Sequence, residues 1–315
     1  MNKLEKAISR VKEELKGLEL LENEALSEHS SFKIGGPVRA MAKPADKEEL
    51  ATLCKLLHAE GVCPMPLGRG SNMLFPDEGL QDTFIVSTEK LQTLELMEDG
   101  SIYAASGVSL AKLSNFALQH GFKGLEFASG IPGSFGGGLV MNAGAYGGEL
   151  KDVVLRTEFY CLDRQDLFCL EKEDCCFEYR GSIFKNHGAC IITGAVLKLE
   201  KGDRDEIAEK MRGYNESRRE KQPLNFPSAG SAFKRPEGHF AAALIDEAGL
   251  KGYRVGDAQV SEKHAGFVVN TGNASAADVR KLMADVERIV EEKCGVKLEA
   301  EMIMLMPDKA LEERE

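Results

Sequence analysis

Apolar positions along this chain repeat with two periods, and the switches between them mark out its elements. Residues 1–25 carry charges throughout with apolar positions at helical spacing, which predicts an amphipathic helix within a separate N-terminal segment, 1–28. Residues 40–43 predict a short strand. Leu50, Leu53 and Leu57 then line one face of a helix over 46–60, which Gly61 stops. Residues 66–75 predict a strand running into a glycine-rich turn, and 84–87, 91–96 and 102–105 predict further strands. Residues 110–120 form a helix ended by Gly121. Alternating runs at 153–162, 167–170 and 191–199 predict strands of an antiparallel sheet. From about residue 201 the character changes. A charged helix over 204–221 leads into a loop over 223–236, followed by helices over 239–248 and 275–293. In the second of these Ser275 is placed to cap, with Asp278 three residues on. Short strands at 258–260 and 266–270, and a last one over 297–305, complete the pattern. Strands and helices mix without regular alternation, so the predicted class is α+β.

Composition narrows the picture. A chain of 315 residues suits two or three packed units, and 43% hydrophobic with 29% charged residues is the balance of a soluble globular protein. No apolar run reaches the roughly 18–20 residues of a membrane helix. The N-terminus lacks the apolar core of a secretion signal, so a cytoplasmic location is expected, away from membranes. A net charge of −11 argues against a nucleic-acid surface. The eight cysteines include no Cys-x-x-Cys pair and are expected to be free thiols, with Cys175 and Cys176 on opposite faces of a strand. The six histidines form no cluster with other ligand types, so no metal is expected.

Two glycine-rich segments could hold a phosphate-bearing ligand. One runs over 67–72 and includes Gly68, Gly70, Ser71 and Asn72. The other, residues 130–148, holds eight of the 32 glycines. Glycine lets backbone N–H groups approach an anion and permits positive φ. Ser71, Asn72, Ser134 and Asn142 could add side-chain hydrogen bonds. Neither segment is a dinucleotide fingerprint or a P-loop, and for 68–72 alone a simple tight turn is an equal reading.

Several motifs carry a resemblance: HSSFKIGGP at 29–37, LGRGSNMLF at 67–75, GLEFASGIPGSFGGGLVMNAGAYGGE at 124–149, FEYRGSIF at 177–184, the long run KQPLNFPSAGSAFKRPEGHF onward from 221, and GVKLEAEM at 295–302. In this order they resemble the bacterial UDP-N-acetylmuramate dehydrogenases, also called UDP-N-acetylenolpyruvoylglucosamine reductases. The likeness covers nearly all of the chain after residue 28. It implies a two-part FAD-binding domain of the vanillyl-alcohol-oxidase (PCMH) type over 29–200, divided near 95, and an α+β substrate-binding domain over 201–315. With no insertion after the Tyr-Arg motif, the chain is similar to the shorter subclass of the family.

The resemblance also implies the chemistry. A hydride passes from NADPH to FAD and then to C3 of the enolpyruvyl group of UDP-N-acetylglucosamine enolpyruvate. C2 is protonated, giving UDP-N-acetylmuramate for peptidoglycan precursors. An enol ether accepts hydride only if its carboxylate can take up charge, so cationic or hydrogen-bonding groups and a proton donor are needed. By resemblance Arg180 holds the carboxylate, Ser231 is the proton donor and Glu301 the catalytic acid. Glu299 and Glu301 share a strand face, so period alone does not choose between them. FAD contacts are expected at Gly68, Gly70, Ser71, Asn72, Gly130, Ile131, Pro132, Gly133, Ser134, Gly136, Gly137, Asn142, Ala143 and Gly144. Substrate or NADPH contacts are expected at Tyr179, Lys221, Lys234, Arg235, Lys251 and His264. No histidine lies in the glycine loops, so FAD should be dissociable, and a monomer is expected. A flavin oxidase for another substrate, or a flavin-binding protein without catalysis, would lack the combination of Arg180, Ser231 and Glu301.

Overall fold

The computed structural model describes residues 2–186 and 189–307; His187 and the last eight residues lie outside the described part. Eight helices occur among the described residues: α1 (Lys3–Glu14), α2 (Lys47–Ala59), α3 (Leu110–Gln119), α4 (Phe135–Val140), α5 (Ile183–Asn186), α6 (Arg204–Lys221), α7 (Ala241–Glu247) and α8 (Ala276–Cys294). Most begin where a short polar side chain captures a free N–H of the first turn. Asp46 accepts from Glu49 N at 2.8 Å to start α2. Ser275 and Asp278 form the reciprocal capping box expected for α8, and Gly295 ends that helix at φ +67°.

Three sheets organise the chain. The first has the order Glu19–Ala25, Pro37–Lys43, Leu80–Ser87, Met65–Leu67; the first pair is antiparallel and the other two pairings are parallel. Alternate residues face opposite sides. Ala40, Ala42, Phe84 and Val86 pack under α1 and α2, while Met41 and Ile85 join Leu26, Leu67 and Phe75 on the other face. The second sheet is wholly antiparallel, ordered Asp166–Glu171, Val154–Cys161, Cys190–Leu197, Ile102–Ala105, Leu94–Leu96. Its core closes against α3 and α4 through Leu110, Leu113, Phe135 and Leu139. The third sheet, Ser228–Ser231, Phe267–Asn270, Ala258–Val260, Arg254–Val255, is also antiparallel. Against it α8 lays Val279, Leu282, Met283, Val286 and Val290, all buried at helical spacing. Each such side chain contributes about 1.5–3 kcal/mol by leaving water.

Four expectations change. The N-terminal helix stops at Glu14, and Glu19–Ala25 is an edge strand paired with Pro37–Lys43. The loop over 223–236 contains a strand, Ser228–Ser231. The last strand shrinks to Ile303–Met304, with an isolated bridge between Ala300 and Phe233. Cys175 ends a short 3-10 turn and Cys176 has φ +47°, so neither lies on a strand. No disulfide joins two cysteines among the described residues. Among the described residues no helix is long and apolar enough to cross a membrane.

Links of long sequence separation tie the third sheet to the first part of the chain. Ile303–Met304 pairs in parallel with Met73–Leu74. The Asp77 carboxylate accepts from Ala276 N at 2.7 Å and Ala277 N at 3.1 Å, capping α8 from a distant loop. Ser31 Oγ donates to Ser228 O at 2.7 Å.

Candidate active site

The glycine segments at 68–72 and 130–137 meet face to face. A Cβ added to Gly68 would lie 2.3 Å from Ser134 Oγ, and one on Gly133 would lie 3.1 Å from Ser71 Oγ. Gly70 has φ +55°, and a Cβ there would stand 2.1 Å from His29 O. Side chains would push these loops apart, so the glycines are what allow the approach. Among the described residues, the N–H groups of Gly68, Gly70, Ser71, Gly133 and Ser134 donate no hydrogen bond within the chain. Clustered, unspent N–H groups suit a diphosphate, and this is the observation by which the loops fit FAD.

The rest of the second segment spends its polar groups on the protein. Phe135 N and Gly136 N donate to Val108 O and Ser106 O at 2.7 and 2.8 Å, Gly137 N donates to Ser134 Oγ at 3.4 Å, and Ala143 N donates to Gly138 O at 2.8 Å. Gly137, Ala143 and Gly144 are exposed or partly exposed and could offer a ligand a bare surface rather than donors, whereas Gly136 is buried against Ser106. Asn142 corrects the expectation of a side-chain contact to cofactor. It is fully buried, its amide donates to Glu178 O at 3.0 Å and Glu149 Oε2 at 3.2 Å, and its oxygen accepts from Lys151 N at 3.0 Å. Asn72 likewise turns its amide inward, donating to Glu301 O at 3.2 Å.

That bond leads to the chemical centre. Tyr179 and Arg180 form the tip of a tight turn closed by Glu178 N to Gly181 O at 3.1 Å and Gly181 N to Glu178 O at 3.3 Å. Arg180 has φ +57°, a left-handed conformation that costs a non-glycine residue roughly 1–2 kcal/mol. The turn aims its guanidinium inward: Nε donates to Glu301 Oε1 at 2.7 Å and NH2 to Gly144 O at 3.3 Å. The two side chains are 21% and 13% exposed, so the pair is largely withdrawn from water. Burial raises the Glu301 pKa above the ordinary carboxylate range, and the charge of Arg180 opposes it without winning. Lys185 donates to Arg180 O at 3.1 Å; burial, with the charge of Lys234, holds its pKa down.

Glu301 N donates to Ala232 O at 2.9 Å, which sets Ser231 next to the segment that carries the acid. Ser231 is half-buried, and among the described residues its hydroxyl makes no hydrogen bond. The structure also separates the two glutamates that periodicity could not. Glu299 is exposed and accepts from Lys234 Nζ, which holds its pKa down, whereas Glu301 is buried against Arg180.

Beside this pair opens a cleft of about 640 Å³ lined in part by Tyr179, Lys234, Arg235, His239, Lys297 and Glu299. Tyr179 Oη accepts from Arg235 N at 3.3 Å, and the Arg235 guanidinium lies 4.0 Å over the Phe240 ring. Neither Arg180 nor Glu301 belongs to the cleft wall. The other expected contacts are scattered. Lys221 ends α6 at the surface. Lys251 is paired with Asp246 at 2.6 Å. His264 stacks edge-on to Phe267; burial, then the nearby Lys251 charge, depresses its pKa. Lys185 and Asp77 escaped sequence reading. Lys185 follows directly on the Tyr-Arg motif, whereas nothing local marks Asp77.

Two family models match the chain. One, described as an FAD binding domain, matches residues 38–163; the other, the C-terminal domain of UDP-N-acetylenolpyruvoylglucosamine reductase, matches 222–305. A UDP-N-acetylenolpyruvoylglucosamine reductase of Caldanaerobacter subterraneus subsp. tengcongensis is 44% identical over 295 residues, 94% of this chain and 96% of the relative. The chain belongs to the UDP-N-acetylenolpyruvoylglucosamine reductase family. Another reductase of this name, from Clostridium tetani, is 42% identical over 98% of this chain and 99% of its own length. A solved family member, from Thermus caldophilus, superposes with a TM-score of 0.77 at 33% identity, covering 92% of this chain and 99% of that one. The chain is thus an α+β oxidoreductase of this reductase family with an FAD-binding domain.

Proposed function

We propose that this chain reduces UDP-N-acetylglucosamine enolpyruvate to UDP-N-acetylmuramate, with NADPH as electron donor and dissociable FAD as carrier. One observation carries the reading: the glycine cradle and the half-buried Arg180–Glu301 pair are joined through the Asn72–Glu301 hydrogen bond, with Ser231 alongside. FAD-binding residues are assigned to 29–200 and substrate-binding residues to 201–315. Gly68, Gly70, Ser71, Gly130, Ile131, Pro132, Gly133 and Ser134 would hold the cofactor. When bound, FAD supplies the hydride that C3 of the enolpyruvyl group requires.

The protein must then stabilise charge on the substrate carboxylate and protonate C2. Arg180 is fixed through Nε and NH2, and among the described residues NH1 makes no hydrogen bond, which leaves it for the carboxylate. Burial raises the Glu301 pKa, and in its protonated form this acid would donate a hydrogen bond to the same carboxylate. Negative charge arriving there is met by a guanidinium already in position and, when Glu301 carries its proton, by that O–H. The Ser231 hydroxyl, engaged by no group among the described residues, donates its proton to C2. Tyr179, Lys234 and Arg235 of the cleft, with Lys221, Lys251 and His264, supply donors for the diphosphate and sugar.

Purified protein should be yellow, and NADPH should bleach the flavin bands without oxygen. Colour should return only when the enolpyruvyl sugar nucleotide is added. A colourless protein, or reoxidation indifferent to that compound, overturns the reading.

A further inference from the structure

A charge largely withdrawn from water with no carboxylate beside it is costly, and Arg218, half-buried, is such a charge. It lies in the last turns of α6. Its Nε is sealed from solvent and donates to nothing. NH1 reaches the neutral amide of Gln222 at 3.4 Å, and Cζ lies 5.9 Å from the centre of the Tyr146 ring. No aspartate or glutamate pairs with it among the described residues; the phenol of Tyr146 is the titratable group that acts on it, and burial holds its pKa below the usual range. The C-terminal end of α6 supplies a partial negative charge, which is weaker than a full anion.

The placement of Arg218 says which anion is missing. Gly130 packs directly on it: a Cβ there would sit 2.7 Å from Arg218 Cδ and 3.1 Å from Nε. Gly130 opens the segment whose Gly133 and Ser134 face Ser71 and Gly68 across the cradle. Tyr146, at φ +52°, stacks on Tyr214 with ring centres 4.2 Å apart and planes 2° from parallel, and donates to Tyr214 O at 3.0 Å. These contacts fix the position of the guanidinium against the glycine loop without neutralising it.

We propose that Arg218 is the counterion of the FAD diphosphate, so that helix α6, beyond the glycine loops, completes the cofactor site. A guanidinium can meet two phosphate oxygens at once. The inference rests on the FAD reading above.

The test compares wild type with Arg218→Met, which keeps an apolar stem of similar length, and Arg218→Lys. FAD is stripped, and the dissociation constants of FAD and NADP+ are measured by flavin fluorescence and calorimetry at several salt concentrations, alongside thermal melting of the apoprotein. Arg218→Met should bind FAD about 10- to 100-fold more weakly, as expected for loss of a charged hydrogen bond. The salt dependence should be shallower, Arg218→Lys should recover part of the affinity, and the apoprotein should melt no lower than wild type because an uncompensated charge has gone. An FAD affinity within twofold of wild type overturns the proposal. So does a lowered apoprotein melting point with unchanged salt dependence, which marks a structural residue. A loss confined to NADP+ also overturns it, by assigning the charge to the co-substrate. Should wild type itself bind no FAD, it is the FAD reading that fails, and that result is distinct from these.

Discussion

Removing either half of the Arg180–Glu301 pair tests whether burial or attraction dominates it. Unit charges about 4 Å apart attract by roughly 4 kcal/mol at an effective dielectric near 20. Here Nε and Oε1 are 2.7 Å apart, but the arginine side chain is still 21% exposed, so water takes back part of that attraction. A coupling of about 2 kcal/mol is expected in a double-mutant cycle. Because burial outweighs attraction at Glu301, Glu301→Gln should leave stability within about 0.5 kcal/mol of wild type, or raise it. Arg180→Met strands the acid and should cost about 2 kcal/mol. The double variant should fall within about 1 kcal/mol of Glu301→Gln. Urea unfolding at pH 7.5 and fixed FAD gives the three differences, and turnover is read on the same samples. Glu301→Gln should lose activity by at least about 100-fold while remaining folded. A coupling below about 0.5 kcal/mol, or a Glu301→Gln variant much less stable than wild type, refutes the reasoning.

The same acid has a pH signature. Its folded pKa lies above an unfolded value of about 4.3, so its stabilising contribution is complete below that value and fades as pH rises through the folded pKa. Wild type should therefore lose stability relative to Glu301→Gln across that window, and parallel urea midpoints from pH 4 upward contradict the assignment. Ser231→Ala removes a hydroxyl that holds nothing together; melting should move by less than about 0.5 kcal/mol equivalent, while stopped-flow reoxidation by substrate slows about 100- to 10,000-fold and reduction by NADPH is unaffected. Equal rates in both halves would remove its proton-donor role. Gly70→Ala, at φ +55° and with its Cβ 2.1 Å from His29 O, should destabilise by more than about 1 kcal/mol and weaken FAD binding; equilibrium dialysis with unchanged affinity contradicts the cradle. Asp77→Ala uncaps α8 from outside the helix and should cost about 1–2 kcal/mol, detectable as faster proteolysis of the C-terminal part.

Where one physical signal dominated, the sequence was readable. Helix α6 keeps its expected bounds, as do the strands Ile102–Ala105 and Ala258–Val260. The strand Glu19–Ala25 was hidden because it lies at a sheet edge, where Glu22 and Asn23 face water and blur the alternation. Helix α4 was hidden by three consecutive glycines, which have poor helix propensity; its first turn is held by Phe135 N and Gly136 N donating to the carbonyls of Val108 and Ser106. The segment around Glu301 reads as one strand but bonds in turn to Lys234, Ala232 and Asn72, three partners that no local pattern reveals. Motif resemblance brought forward Arg180, Ser231 and Glu301 as candidates. That the Asn142 side chain is spent on the protein and that Arg218 has no carboxylate partner among the described residues depend on contacts between segments far apart in sequence.

The hydrogen bond from Asn72 to Glu301 spans 229 positions, and this has a consequence for how the protein is made. A ribosome releases the cradle loop long before it releases the acid. The nascent chain can fold its first sheet early, yet it has no partner for Met73–Leu74 until Ile303–Met304 emerges. Chemical competence is thus withheld until residues 301–304 have been made, and it arrives with the closure of a long loop, a step expected to be slow. A prematurely terminated product would keep its glycine cradle but lack the carboxyl group and the strand that fastens it.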